Sequence, residues 1–364
     1  MLKAPDVASR PAASAIYDWM MAIASLWLSG GIMVDAWYHF HSTVETFFEP
    51  AHALLYAGLL ASAIFTAVMV VAGVRQGYRW RYALPAGYGV TFAGLFVCLA
   101  GGLTDMLKHS LWGFEEGFNA LLSPTHLLIG AGMFLIIAGP VRAALLRPSP
   151  PKTLVAQLPL LLSAASMMEL AHWGTQFVFL SEAERMDAPI APASMPHAAL
   201  TLLTLQYDKE GIGLLAVIVQ SVLVSGFFLY LARRLRLAPG APAVLLVMGN
   251  AFIGAAHSNY VGQFIAVIVA SAIAGLTADL FRLDPSDQLA PRWSIAAFTV
   301  PAAYWAVLLA ILSLTMGGIW WTPDVISGSV LFAGLVGLFL NLLTGPFSGA
   351  TDRQPGADSQ RKIS

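Results

Sequence analysis

The sequence predicts an all-α fold, a polytopic membrane helix bundle of about ten transmembrane helices that includes tandemly duplicated helix-pair units. Composition is the first reason: the mean hydropathy is +0.72, and 58% of the residues are hydrophobic while only 11% are charged. Recurring apolar runs of about twenty residues are the second reason, because each run is long enough to cross the hydrocarbon core of a bilayer.

The predicted spans follow these apolar runs. The first run, from Ile16, comes after a short polar tail and has no small-residue cleavage site behind it, which favours a retained span over a signal peptide. A segment before the sixth span, "MPHAALTLLTLQY", is predicted to form a short extra helix. The ten predicted spans are 15–37, 51–74, 84–107, 122–146, 153–179, 211–233, 241–259, 261–281, 293–319 and 325–344.

Basic residues predict the orientation of these spans. Sixteen of the 19 lysines and arginines fall in the two tails or in alternate loops, and only Lys108, Arg185 and Lys209 fall on the other side. Because positively charged loops stay in the cytoplasm, both termini are expected there, in a multi-pass protein of the bacterial inner membrane. All eight histidines then fall on the opposite, periplasmic side.

Charge and cysteine content exclude other classes of partner and site. The net charge is −1, so a nucleic-acid partner is not expected. The single cysteine, Cys98, lies inside an apolar run and supports neither a disulfide nor a cysteine-based metal site.

A repeated motif concentrates ionisable residues on the histidine-rich side. "DAWYHFHSTVETFFEPAH", residues 35–52, aligns with "DMLKHSLWGFEEGFNALLSPTH", residues 105–126. The alignment pairs the aspartates, the histidines, the glutamates, the phenylalanines and the final Pro-x-His; the second copy is four residues longer. Each copy covers the end of one helix, a loop and the start of the next helix, which indicates tandem duplication of a helix pair.

The spacing within each copy favours metal ligation. Asp and His at positions i and i+4 lie on the same face of a helix, and a proline just before the second histidine suits the first turn of the returning helix. Two histidines and one carboxylate are an established transition-metal ligand set. The predicted metal ligands are Asp35, His39 and His52 in the first set, and Asp105, His109 and His126 in the second.

Other polar residues are candidates for supporting roles. Glu45, Glu115 and Glu116 are the predicted catalytic residues, which could bridge, support the ligands or move protons. Phe48, Phe118 and Trp112 are expected to line a dry pocket beside them. Secondary candidates, for which structural or pore-lining duty stays open, are His41, Glu49, Glu169, His172, His197 and His257.

The stretch "DAWYHFHSTVETFFEPAHALLYAG" resembles the metal-binding segment of the C subunit of particulate methane monooxygenase and ammonia monooxygenase. The resemblance covers Gly30 to Gly132 and implies metal ligands at the two Asp/His/His sets, although the family has Asn at the position of Asp105. This chain differs from the family subunit in its longer second loop and its larger number of spans. It is also not expected to contain the soluble periplasmic copper domain that a different subunit supplies in those enzymes.

The sequence therefore predicts two membrane parts: four duplicated metal-site spans over 15–146 and about six further spans over 147–346. Tails are expected at 1–14 and 347–364. The expected activity is that of a copper-dependent, monooxygenase-like oxidoreductase that uses O2 and a small apolar substrate from the lipid. Copper or zinc capture or transport, a di-iron oxygenase and a zinc hydrolase are the alternatives, with iron or zinc in place of copper. The protein would also need an external electron donor, and the sequence leaves open whether it has partner subunits or forms a homo-oligomer.

Overall fold

The computed structural model describes residues 10–41, 49–113, 117–178, 198–258, 260–315 and 319–346. Within these ranges the chain forms α-helices, with 3-10 turns at Trp80–Tyr82 and Gln176–Val178 and without any β-strand. The predicted all-α fold is therefore confirmed. The helices are α1 (Ala15–His41), α2 (Pro50–Arg75), α3 (Gly89–Trp112), α4 (Phe118–Leu122), α5 (Pro124–Leu145), α6 (Leu154–Gly174), α7 (Ala198–Ala232), α8 (Ala241–Ala256), α9 (Val261–Asp279), α10 (Pro291–Thr315) and α11 (Pro323–Thr344).

Nine helices in the described ranges are long and apolar enough to cross a membrane, so the chain is a multi-pass helical membrane protein. Each corresponds to one predicted span. The remaining predicted span, 241–259, corresponds to α8, which has only 16 residues. Its length is about 24 Å at the helical rise per residue, which is shorter than a hydrocarbon core of about 30 Å.

Several helix boundaries differ from the predicted ones. α1 continues to His41 and α3 continues to Trp112, so that His39 and His109 lie inside helices. α3 begins later than predicted because the turn before it contains Pro85 and Gly87, whose φ is +100°. The expectation of a separate extra helix before the sixth span is wrong: α7 is continuous from Ala198, because no proline interrupts this run.

The helices pack in two groups that α8 connects. In the first group, α1 packs against α2, α5 and α6, while α3 packs against α5. In the second group, α9, α10 and α11 pack in sequence and α7 closes against α11. α8 packs against both α6 and α9, so it lies between the groups although it is short.

The two duplicated helix pairs make equivalent contacts through glycines. A Cβ atom on Gly31 would lie 3.1 Å from the Cα of Leu55, across the α1–α2 contact. The aligned residue in the second copy, Gly101, would place a Cβ 2.9 Å from the backbone nitrogen of Ile129, across the α3–α5 contact. Close approach of helices through small residues is typical of membrane bundles. It also brings the ligand-bearing helix ends together in each pair.

Buried polar contacts connect the opposite ends of the helices. Tyr88 donates a hydrogen bond to Asp18 Oδ1 at 2.6 Å, and Arg147 pairs with Asp18 Oδ2. In the second group, Arg233 donates to Gln288 Oε1 at 2.9 Å and to Asn341 Oδ1 at 2.6 Å. Each arginine thereby binds partners from other parts of the bundle, which fixes the helices at the end remote from the Asp/His/His sets.

Candidate metal centre

The first Asp/His/His set forms where α1 ends and α2 begins. Asp35 and His39 lie in the last turns of α1, and their side chains meet because the i, i+4 spacing puts them on one face. Pro50 occupies the first turn of α2 and precedes His52 by two residues. The two oxygens of Asp35 lie 3.8 Å from His39 Nε2 and 3.6 Å from His52 Nε2.

The second set has the same construction at the end of α3 and the start of α5. The two oxygens of Asp105 lie 3.2 Å from His109 Nε2 and 3.2 Å from His126 Nε2. Pro124 again opens the returning helix two residues before the histidine. In both sets, therefore, one carboxylate lies between two imidazoles and presents a separate oxygen to each.

Backbone carbonyls orient both histidines of the second set. His109 Nδ1 lies 3.1 Å from the carbonyl oxygen of Gly113, and His126 Nδ1 lies 2.5 Å from that of Ala120. A carbonyl can only accept, so each Nδ1 carries the donated proton. In a neutral ring this leaves the lone pair on Nε2, the atom that faces Asp105. Such hydrogen bonds are the usual means by which proteins fix the tautomer and the orientation of metal-ligating histidines.

All six side chains line one cavity of about 240 Å³. Asp35 also interacts electrostatically with His126, a ligand of the other set, so the two sets are close neighbours. Tyr56 lines the same cavity, stacks against His52 with ring centroids 6.3 Å apart, and interacts with both aspartates. Much of the remaining wall is apolar and includes Ile32, Leu55, Leu121, Ile129, Met133 and Leu170.

The geometry of each set fits one transition-metal ion. The three potential ligand atoms of each set lie within 4.8 Å of one another. Two atoms bound to the same ion at about 2.0–2.2 Å are about 3.3–3.6 Å apart in a tetrahedral arrangement. The observed Asp-to-His separations of 3.2 to 3.8 Å therefore require little movement. Within the described residues Asp35 Oδ1 accepts no hydrogen bond, although it is buried, and an ion would satisfy it.

The other predicted site residues fall into two groups. Glu45, Glu115, Glu116, His197 and Phe48 lie outside the described residues, as do the side chains of His41 and Phe118. Trp112 lies within them, and its predicted place in the pocket wall is wrong. It ends α3 with 77% of its surface exposed, a position typical of the tryptophans found at membrane–water interfaces.

Among the secondary candidates, Glu49 interacts with a predicted ligand. It is buried just before α2 and interacts electrostatically with Asp35. Glu169 and His172 are buried in α6 but do not line the cavity. The carboxylate of Glu169 instead accepts the backbone N–H groups of Phe252 and Ile253, at 2.7 and 2.9 Å, and so connects α6 to α8.

His257 lies at the end of α8, with its Nε2 3.2 Å from Gln176 Oε1. Trp173 near the end of α6 and Gln176 in the 3-10 turn after it do line the cavity, and so does Tyr56. Sequence reasoning missed all three. Tyr56 had a usable signal, because it comes four residues after His52 and therefore lies on the ligand-bearing face of α2. Trp173 and Gln176 had none, since only the packing of α6 brings them to the cavity.

These features define a class of protein: a multi-pass helical membrane protein in which two Asp/His/His sets, each with the geometry of a metal site, share one cavity. Comparison with known proteins does not narrow this class. No protein-family model matches the chain, and neither a curated protein nor a solved structure matches it.

Proposed function

We propose that this protein is a membrane-embedded, copper-dependent oxidoreductase that uses O2 to oxidise a small apolar substrate. The observation that carries the proposal is the shared cavity: six potential metal ligands form part of its wall, and apolar side chains form much of the rest. Imidazole and carboxylate ligands suit copper, and they suit iron and zinc as well. The resemblance of residues 30–132 to a subunit of copper-dependent monooxygenases favours copper among the three.

Different residues of this chain would bind the metal and the substrate. The Asp35 and Asp105 sets would each hold one ion, and copper would supply the one-electron chemistry that O2 requires. Apolar residues such as Ile129 and Met133 would hold the substrate and keep water away from the oxidant. One oxygen atom would enter a C–H bond of the substrate and the other would leave as water, with the electrons and protons supplied by an external donor.

Proton delivery is assigned to the loop glutamates. In the sequence, Glu45 lies between His39 and His52, and Glu115 and Glu116 lie between His109 and His126, so these carboxylates would exchange protons between the metal ligands and the solvent. The substrate would arrive from the lipid, because the cavity lies between membrane-spanning helices. Partner subunits could supply the electrons.

Metal analysis tests the proposal. The full chain, purified in detergent and loaded with copper, is expected to hold two copper ions, and the double variant His39→Ala, His109→Ala is expected to hold none. His257→Ala is the matched control, since this histidine neighbours the cavity without lining it and should retain both ions. Full copper content in the double variant would refute the metal sites.

Metal capture is the second candidate function. Each set alone has three potential ligand atoms close together, so each could bind an ion independently of the other set. Oxygen consumption separates the two functions. With a chemical reductant and a short alkane, the copper-loaded wild type should consume O2 and form the alcohol, and the double variant should not. Tight copper binding without any oxidised product would favour capture.

We also propose that the ligand-bearing helix ends face the periplasm of a bacterial inner membrane, with both termini in the cytoplasm. The distribution of basic residues supports this orientation. A membrane-impermeant thiol reagent on intact cells should label Thr43→Cys and not Gln76→Cys. The native Cys98 is buried and contributes little background. Labelling at position 76 alone would show that the orientation is the reverse of the proposed one.

A further inference from the structure

The two ligand sets have different polar neighbours at aligned positions. Next to the second set, Lys108 precedes His109 in α3, and Ser123 and Thr125 flank Pro124. The aligned residues of the first copy are Tyr38, Glu49 and Ala51. The second set therefore has a cation and two hydroxyls where the first set has a phenol, a carboxylate and a methyl group.

In the second set these residues form a chain of hydrogen bonds that ends on a ligand. Thr125 donates to Asp105 Oδ1 at 2.6 Å, so its hydroxyl oxygen is left to accept from Ser123 Oγ at 2.8 Å. Ser123 accepts in turn from Lys108 Nζ at 2.8 Å. All three donated hydrogens point toward the carboxylate, so the ammonium charge of Lys108 reinforces each bond. Lys108 also interacts electrostatically with His126.

Among the described residues, the aligned neighbours of the first set have the opposite charge. Ala51 has no hydroxyl and cannot donate to Asp35 as Thr125 does to Asp105. Glu49 is 5% exposed, and its interaction with Asp35 is one between two carboxylates. A cation bound between the ligands of the first set would relieve this repulsion, whereas a cation in the second set would be opposed by Lys108.

We propose that these neighbours make the two sites unequal: Glu49 strengthens binding of a divalent cation at the Asp35 set, and Lys108 weakens it at the Asp105 set. Lys108 and Glu49 are thus the residues that set the order in which the sites fill, with the Asp35 set first. The inference rests on the proposed metal-binding function. Unit charges this close to a site in a bundle interior change affinity by about tenfold or more.

Titration of the metal-free full chain with Co²⁺, after removal of one site at a time, tests the inference. In the His52→Ala background only the Asp105 set remains, and Lys108→Met should tighten its Kd for Co²⁺ about tenfold, while Lys108→Arg, which keeps the charge, should leave it unchanged. In the His126→Ala background only the Asp35 set remains, and Glu49→Gln should weaken its Kd about tenfold.

The outcomes are distinguishable. With otherwise native neighbours, the Asp35 set should bind Co²⁺ at least about tenfold more tightly than the Asp105 set. Equal affinities, or a Kd that Lys108→Met changes no more than Lys108→Arg does, would overturn the inference while leaving metal binding intact. Absence of Co²⁺ binding in the wild type as well would instead overturn the proposed function and the inference with it.

Discussion

The helix pairs α1–α2 and α3–α5 make the same contacts at aligned positions but differ in how closely their backbones approach. In α1–α2, the atoms nearest to a Cβ on Gly58 would belong to the side chains of Trp27 and Leu28, at 3.1 and 3.3 Å. In α3–α5, a Cβ on the aligned Gly132 would lie 2.6 Å from the Cα of Cys98. The second pair is thus in contact through its backbones, whereas the first pair is separated at this level by side chains.

The closer approach of α3 and α5 continues along these helices, and the ligands of this pair are also closer together. Gly94 of α3 packs against the carbonyl oxygen of Gly132, and the aligned residue of α1 is Ala24. The closer pair has Asp-to-His separations of 3.2 Å, while the wider pair has 3.6 and 3.8 Å. One motif therefore places the same three ligand types in both pairs, and the small residues along the helices set how closely the helices approach.

The largest expected effect comes from adding one methyl group to each pair. Gly132→Ala should destabilise the protein by about 3 kcal/mol, because the new Cβ would clash with backbone atoms of α3 that cannot rotate away. Gly58→Ala should change stability by less than about 1 kcal/mol, because flexible side chains can shift and alanine favours the helix. Thermal unfolding in detergent measures both.

Gly226→Ala in α7 is the control for the general effect of alanine in a helix, since a Cβ there would have nothing within 4 Å. It should be neutral or slightly stabilising. Equal losses of stability for Gly132→Ala and Gly58→Ala would mean that the two pairs pack alike.

The sequence predicted those features that depend on local pattern. Apolar runs identified the spanning helices, and the i, i+4 spacing of Asp35 with His39 and of Asp105 with His109 identified the ligand pairs. The Pro-x-His motifs placed His52 and His126 in the first turns of the returning helices, where the structure has them. Each of these signals lies within a few residues along one helix, which is why it could be recognised without tertiary information.

The features that the sequence did not predict depend on contacts between distant elements. Trp173 and Gln176 reach the cavity only because α6 packs against α1 and α5. The Lys108 chain depends on α3 and α5 meeting at one level, since Ser123 is 15 residues away in sequence. Trp112 was expected in the pocket because it lies within the repeated motif, but it is exposed at the end of α3.

A smaller effect concerns a carbonyl in the closer pair. Pro140 lies inside α5 and has no N–H, so the carbonyl of Ile136, four residues earlier, lacks its helical partner. Thr91 of α3 supplies one: its hydroxyl donates to Ile136 O at 3.0 Å. The first pair has no such need, because the residue aligned with Pro140 is Thr66, which keeps its backbone N–H. The residue aligned with Thr91 is accordingly Met21, which has no hydroxyl to donate. Membrane helices with a proline commonly satisfy the freed carbonyl through a neighbouring Ser or Thr.

Thr91→Val should therefore cost about 1 kcal/mol, because it keeps the side-chain shape and leaves a buried carbonyl without this donor. The same substitution in a Pro140→Ala background should cost less than half as much, since replacing the proline restores the helical N–H that bonds to the carbonyl of Ile136. Thermal unfolding of the four chains in this double-mutant cycle measures the coupling directly. Equal costs for Thr91→Val in both backgrounds would show that Thr91 acts through packing alone, and that the hydrogen bond does not compensate for the proline.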